Sequence, residues 1–507
     1  MVTAEPVKLR KSIRPPKPSW PENRPALAIA FSGGGFRASL AGIGMIRGLA
    51  DLDLLRDVRY TSSVSGGSWP NALLALKWDE LKAQGFTTDA VDELVVEPFV
   101  TRITTSSMLG HMLKNSWRVL GSATRSDLLA NVFDDWFGHG TTFGDLSDEV
   151  RFIFNSTNLN SGSRFFFEQA RAGDYKAKYV PGSTIRVADA LAASAAIPGM
   201  FTGQRMRSPN DVYPKGNRPY LVDGAAYDNL GLEAFGQIYA RPLMVVLDAG
   251  AEFKQGLMGA GGIFRSIKRS SSVIQDQVTT VRRRWLIEGF RSWEDWEQSD
   301  PQAYEAYTTD QIAMNKAISG YVARQRKNAL LPDEVPPPMP PRNSKRGVTF
   351  GLGTSMYPKD GDIESTTSRH QRYESDGVAH EVPPWQTNPR AEDFREHTAG
   401  VPMSGSKFDE ELACDLIYRG WWLTRESLRT FHPDALTVVP PAWGEWNDEM
   451  ARRSELRQPE RAKNEVLLAE QMAAAAAAKK AEKAAKKAER ALNKAAKDAA
   501  KSKRSEG

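Results

Sequence analysis

Twice between residues 26 and 78 the chain passes from a short apolar run, through a serine–glycine turn, into a run with helical spacing. The first unit is ALAIAF (26–31), then SGGG, then Arg37 to Leu55 with Leu40, Ile43, Ile46, Leu49 and Leu52 on one face. The second is RYTSSV (59–64), then SGG, then SWPNALLALKW (68–78). Short apolar runs broken by glycine read as buried strands. Two strand–loop–helix units in succession restrict the fold to an α/β sheet.

The remaining chain fits that frame. Residues 86–147 are helical in pattern and apolar-rich, an insertion read as core or as a lid. RFIFNSTNLNSGSRFFF (151–167) reads as a hairpin, because two apolar runs flank an Asn/Ser/Gly turn. VADALAASAAIPGMF (187–201) predicts a small-residue helix stopped by Pro198. PYLVDGAAYDN (219–229) and RPLMVVLDAG (241–250) predict strands ending in aspartates. Ile274, Val278, Val281 and Trp285 mark a helix, residues 331–345 a proline-rich loop, and DLIYRGWWLTRESL (415–428) a last helix. Residues 1–24 are read as a flexible basic and Pro-rich arm, 25–445 as the folded domain, and 446–507 as an Ala/Lys-rich helical or disordered tail.

Charge and cysteine use narrow the function. The net charge is +5, but residues 479–507 hold 11 Lys or Arg and four Asp or Glu, a net of +7, which leaves the rest at −2. Nucleic-acid binding by the main domain is therefore not expected. One cysteine, Cys414, excludes an intrachain disulfide and suits a reducing cytoplasm. The N-terminal residues lack an apolar leader core, and no apolar run is long enough to span a membrane.

The second loop, YTSSVSGGSW (60–69), offers four serines. A nucleophile at a sharp strand-to-helix turn needs small residues two before and two after it, or neighbouring backbone is crowded. Ser65, with Ser63 before and Gly67 after, meets that demand; Ser62 lies in the strand and Ser68 in the first helical turn. In SGGGFR (32–37), backbone N–H groups at a helix start suit an oxyanion, and Arg37 suits a phosphate. A nucleotide loop is the rival, but neither the GxGxxG nor the GK[ST] spacing is present. A serine needs a base, and Asp223 and Asp248 each end a strand. His370, His380, His397 and His432 come late enough for a Ser-Asp-His order, and His111 and His139 lie in the insertion; none sits at a strand end, which favours direct activation by a carboxylate.

Six segments in order, SGGGFRA, SVSGGSW, FNSTNLNSGSRFFF, AASAAIPGMF, VDGAAYDNLG and DLIYRGWWLTRESL, resemble the patatin-like phospholipases, most closely the cytosolic phospholipase A (group IV-like) branch. The resemblance covers about residues 25–432. It implies a patatin-like α/β sheet with helices on both faces, carrying the helical insertion and followed by a C-terminal helical tail. It implies a lipid acyl hydrolase working through an acyl-enzyme: Ser65 as nucleophile, Asp223 as general base, Gly33, Gly34 and Gly35 as oxyanion donors, and Arg37 on the lipid phosphate. Ser63, Gly66 and Gly67 form the elbow. Two positions depart from the family pattern. Ser63 stands where the family has glycine, a change small enough for the elbow to tolerate, and Ala225 replaces a second glycine after Asp223; neither removes a catalytic group.

About 25 residues precede the first strand, too few for the calcium-binding membrane module common in the animal branch, so no metal and no cofactor are expected. A phospholipid membrane surface is the expected partner, with the protein cytoplasmic and peripheral on an inner membrane face. Lys480, Lys483, Lys487, Arg490, Lys494, Lys497 and Lys501 repeat at helical spacing and are the expected contact with anionic lipid. The rival readings are a general esterase or acyltransferase with the same pair, and a silent lipid-binding or signalling module.

Overall fold

The computed structural model describes residues 9–13, 15, 26–114, 125–198, 201–206, 213, 218–236, 241–250, 262–327, 329–330, 334–354 and 408–438. In chain order the first elements are β1 (Leu27–Phe31), α1 (Gly35–Asp51), β2 (Val58–Val64) and α2 (Ser68–Ala83). The insertion supplies α3 (Thr88–Val91), α4 (Glu97–Thr105), α5 (Met108–Lys114) and α6 (Arg125–Phe133). Then come β3 (Arg151–Asn158), β4 (Ser163–Phe167), β5 (Ala172–Asp174), β6 (Lys178–Val180) and α7 (Val187–Ser194). β7 (Gln204–Arg205), β8 (Tyr220–Asp223), α8 (Ala225–Asp228) and β9 (Leu243–Asp248) follow. The last are α9 (Gly262–Ser299), α10 (Pro301–Thr309), α11 (Gln311–Arg326), β10 (Gly347–Gly351) and α12 (Glu410–Phe431).

The sheet runs β10-β9-β1-β2-β3-β4-β5-β6. From β10 to β3 the pairings are parallel, and beyond β3 they are antiparallel. β1 is apolar and buried throughout its length, as a parallel strand covered on both faces requires. α1 and α12 pack together. Arg47 of α1 bonds Asp92 in the insertion, and Asp51 of α1 accepts from Trp421 of α12 and from Thr88. This buried cluster clamps the first helix between the last one and the insertion.

One feature of the topology builds the site. β3 is longer than the overlap with β2, and its outer residues pair with β8 instead. Val64, the last residue of β2, lies opposite Asn155; Asp223, the last residue of β8, lies opposite Ser156. β2 and β8 thus run toward each other along one edge of β3 and end at adjacent register positions. Whatever follows Val64 must meet Asp223.

Two expectations need correction. Part of the N-terminal arm is fixed, because Arg10 exchanges backbone hydrogen bonds with Tyr179 on β6 and the carbonyl of Ile13 accepts from Arg171. α7 ends at Ser194, before Pro198, because the carbonyls of Ser194 and Ala196 turn to accept from Gly224 and Asp223. The helix expected around Ile274 is present and extends over 38 residues, with α10 and α11 closing a separate aromatic cluster of Trp293, Trp296, Tyr304 and Tyr307. The tail and its cationic stripe lie outside the described residues, as do His370, His380 and His397. Among the described residues no helix is long and apolar enough to cross a membrane.

Candidate active site

Ser65 follows β2 with φ 51°, in the left-handed region that a side chain rarely occupies. Its backbone turns sharply so that α2 can start at Ser68. The turn aims Oγ at Asp223, whose Oδ2 accepts from it at 2.6 Å. Asp223 Oδ1 accepts from the N–H of Ala225 at 2.8 Å. Both residues are buried. Burial pushes the Asp223 carboxyl up to about 6, against the two hydrogen bonds that hold it down. A carboxylate so placed can take a proton from the serine hydroxyl near neutral pH.

The competing groups are placed elsewhere. Asp248 pairs with Arg283 of α9 and accepts from the N–H of Gly250. His111 contacts Asp135, and His432 sits 3.9 Å from Asp434. Of the two aspartates, which residue pattern alone leaves open, Asp223 is the one bonded to Ser65.

The glycine loop lies against the elbow. A Cβ on Gly33 would stand 3.2 Å from the Ser65 Cβ, and one on Gly66 would stand 2.1 Å from the carbonyl oxygen of Gly35. Backbone rests on backbone here, which only glycine allows. Ser39 of α1 locks the contact by donating to the carbonyl of Gly66 at 2.7 Å. Gly34 caps α1 and Gly35 begins it, so their N–H groups have no carbonyl to reach within the helix. The Gly33 N–H differs from expectation: it donates to the carbonyl of Asn229 at 3.0 Å. The Gly33 N–H is thus already engaged, whereas Gly34 and Gly35 stand at the helix start.

Arg37 also departs from its expected use. It is buried, and its Nε and Nη2 donate to the carbonyl of Ala249 at 3.2 and 2.6 Å. The same turn after β9 is held from the other side, where Ala249 N–H donates to Ser32 Oγ at 2.7 Å. In this structure Arg37 ties the glycine loop to the end of β9.

Sequence reasoning missed Ser194, at the end of α7. Its Oγ accepts from the N–H of Ser65 at 3.0 Å and lies 2.9 Å from Ser68 Oγ. Ser68 Oγ lies 3.1 Å from Ser63 Oγ, which donates to the carbonyl of Ile153 at 3.3 Å. Ser65 N–H can only donate and the Ile153 carbonyl can only accept. One arrangement of the hydroxyl protons, running from Ser194 to Ser68 to Ser63, satisfies every member. Asn71 Nδ2 also donates to Ser63 Oγ at 2.9 Å. Ser63 is therefore an anchor behind the elbow as well as a small residue in the place of glycine. The signal in the sequence is the serine within the small-residue run AASAA.

A second polar set holds β2 to the segment after Asp223. Asn155 Nδ2 donates to Ser62 Oγ and to the Ser63 carbonyl, both at 2.8 Å, and Ser62 donates to the Gly231 carbonyl at 2.7 Å. Thr157 donates to the carbonyl of Asp223 at 2.9 Å. On the other side stand buried aromatics. Phe36, which follows the glycine loop, contacts Trp69, which follows the elbow, and Trp69 packs on Phe99, Phe133 and Trp136 of the insertion. The insertion thus shares a core with both loops. Among the described residues no three His, Cys, Asp or Glu side chains gather closely enough to hold a metal ion.

Residues 29–235 match the family model of patatin-like phospholipases. This stretch is a patatin-like phospholipase domain. The match takes in the glycine loop, Ser65 and Asp223. No curated protein matches the chain. Among solved structures the chain is similar to human GIVD cytosolic phospholipase A2, with a TM-score of 0.34 and 16% identity over 45% of this chain and 46% of that one. The same human enzyme in complex with methyl gamma-linolenyl fluorophosphonate and terbium chloride gives a TM-score of 0.41 and 13% identity, covering 82% and 59%. VipD from Legionella pneumophila gives 0.27 and 13%, covering 87% and 94%. The chain spans 46% to 59% of the length of the human enzyme in these structures.

Proposed function

We propose that the patatin-like domain is a phospholipase A-type acyl hydrolase that cleaves phospholipid esters through Ser65 and Asp223. The observation that carries this reading is the 2.6 Å hydrogen bond from Ser65 Oγ to a buried carboxylate. Asp223 takes the hydroxyl proton as Oγ attacks the ester carbonyl. The N–H groups of Gly34 and Gly35 receive the oxyanion, at a helix start where the backbone dipoles favour negative charge. Collapse expels the lysophospholipid, which leaves with the proton from Asp223. Water, deprotonated by Asp223, then releases the fatty acid and frees the serine. The substrate lies in a membrane, and a cytoplasmic protein working on the inner face suits a chain with one cysteine, Cys414.

The test is a serine-reactive fluorophosphonate probe on wild type and Ser65→Ala, followed by product analysis on phospholipid vesicles. Wild type is labelled and releases fatty acid; Ser65→Ala is not labelled and loses at least ~10⁴-fold in turnover. Equal fatty-acid release by the two proteins would sink the assignment. Acyl transfer to an added lipid acceptor in preference to water makes the enzyme an acyltransferase instead.

A further inference from the structure

Two turns at one end of the sheet carry apolar side chains in open solvent. Leu159, in the turn between β3 and β4, is 55% exposed, and Tyr175, in the turn between β5 and β6, is 71% exposed. The turns are bonded together. Lys176 Nζ donates to the carbonyl of Ser161 at 2.6 Å, and Ser161 Oγ and Asn158 Nδ2 donate to Asp174 at 3.0 and 2.7 Å. Around them lie cations: Lys176, Lys178 and Arg205 are exposed, and the carbonyl of Arg218 accepts from Asn160. Asp174 is the acid of these turns, and it is buried, with the N–H groups of Lys176 and Ala177 also donating to it. What the turns present to solvent is apolar and cationic.

Their place in the fold gives that surface a use. β3 ends on the side of the sheet where β2 delivers Ser65. Asn158 pairs with Leu221, and the Leu159 N–H donates to the carbonyl of Tyr220, three residues before Asp223. At ~3.3 Å per residue the turn stands about 10 Å along the strand from Asp223. We propose that these two turns dock the protein on an anionic lipid bilayer. Leu159 and Tyr175 enter the boundary between headgroups and acyl chains, while Lys176, Lys178 and Arg205 face anionic headgroups. The choice of a bilayer over an acidic protein rests on reading Ser65 and Asp223 as a lipid-hydrolysing pair, whose substrate must be presented at this end of the sheet.

The test uses the full chain carrying Ser65→Ala, so that vesicles stay intact. It is sedimented with vesicles of phosphatidylcholine alone and of phosphatidylcholine with phosphatidylserine. The parent binds the anionic vesicles more tightly than the neutral ones. Leu159→Ser with Tyr175→Ser weakens that binding about tenfold, and Lys176→Gln with Lys178→Gln weakens it about fivefold per lysine at low salt. All of these proteins share the C-terminal tail, so the differences report on the turns. Unchanged melting temperatures exclude misfolding as the cause. Variants that bind like the parent overturn the proposal. So does a parent that ignores both vesicles, an outcome that gives the cationic turns to an acidic protein. Hydrolysis of a soluble short-chain ester, measured with Ser65 present, separates the two readings. The turn variants keep the wild-type rate there. A protein that cleaves no ester yet binds anionic vesicles through these turns keeps the docking surface and loses the proposed activity.

Discussion

The two serine–glycine loops look alike in sequence and are put to opposite uses. Both leave a buried parallel strand and enter a helix. In the first, glycines take the unusual backbone angles, Gly34 at φ 155° and Gly35 at φ 62°, and what the helix start offers is backbone N–H without a side chain. In the second, Ser65 takes the left-handed angle at φ 51°, and what faces the site is a side chain. A non-glycine residue in that region is strained and persists only where its surroundings fix it. Ser194 and the hydroxyl chain behind it supply that fixing. One loop needs the absence of side chains, the other needs a dense polar set around one.

Removing the base tests the second loop most severely. Asp223→Asn is expected to lower kcat by at least ~10³-fold while leaving the elbow in place. The wild-type pH profile sharpens the point. The base works ionised, so kcat/KM should rise about tenfold per pH unit up to a limb near 6, where burial sets the carboxyl. A limb near 4 would mean that Asp223 is solvated during turnover. Stability moves the other way. The folded carboxyl holds its proton more tightly than the unfolded one, so native stability falls as pH rises from about 4 to about 6 and stays lower above that range. Asp223→Asn removes this loss, and its melting temperature at pH 8 should exceed that of the wild type by a few degrees.

For the first loop the sharpest break is Gly34→Ala. An alanine would be strained at φ 155°, and its Cβ would stand 2.4 Å from the carbonyl oxygen of Ala249. The loop must shift, and the N–H donors shift with it. A loss of about 10²-fold in kcat is expected, the size seen when one oxyanion donor is removed. Labelling by the fluorophosphonate probe should slow in parallel, and a melting curve separates this from unfolding. Wild-type kcat would place the oxyanion donors elsewhere.

The parts of this site legible in the sequence are those set by local chemistry. Glycines after an apolar run, small residues on both sides of Ser65, and an aspartate at a strand end are statements about single turns. The hairpin of β3 and β4 and the helices of the insertion follow from local pattern as well. What could not be read is which carbonyl or amide lies across a gap. The Gly33 N–H meets Asn229, Arg37 meets Ala249, and Asp248 meets Arg283, each through contacts far apart in sequence. The meeting of Ser65 and Asp223 has the same origin, since it depends on β2 and β8 sharing one edge of β3. Resemblance to a family anticipated that pair but not the residues that hold it.

Ser194 is the most consequential of those holding residues. Ser194→Ala removes the acceptor of the Ser65 N–H and breaks the hydroxyl chain, but it touches neither reacting group. A fall of about tenfold in kcat is expected with KM and the pH limb unchanged, because Ser65 relaxes while Asp223 keeps its surroundings. Ser194→Thr keeps the hydroxyl and should restore most of the rate. A general structural role predicts instead that both variants lose stability and that the pH limb moves.

The smallest effect is expected at Ser63, the departure from the family's glycine. On sequence grounds a serine there is small enough for the elbow, and a higher turnover of Ser63→Gly would mean that it restrains the site. The structure argues the reverse. Ser63 Oγ accepts from Asn71 and donates to the Ile153 carbonyl, and Asn71 Oδ1 already has no partner in its buried place. Glycine would remove one of the two acceptors of Asn71 Nδ2, which keeps the Ile153 carbonyl at 3.3 Å, and would leave Ser68 Oγ only Ser194 Oγ as a partner, at about 1 kcal/mol per hydrogen bond lost, and would add backbone freedom to β2. Ser63→Gly should therefore melt several degrees lower, with kcat unchanged or reduced within about threefold. A clear gain in kcat with no loss of stability would show that the polar set behind Ser65 restrains the nucleophile rather than holding it in place, and the contrast between the two loops would then reduce to their glycines.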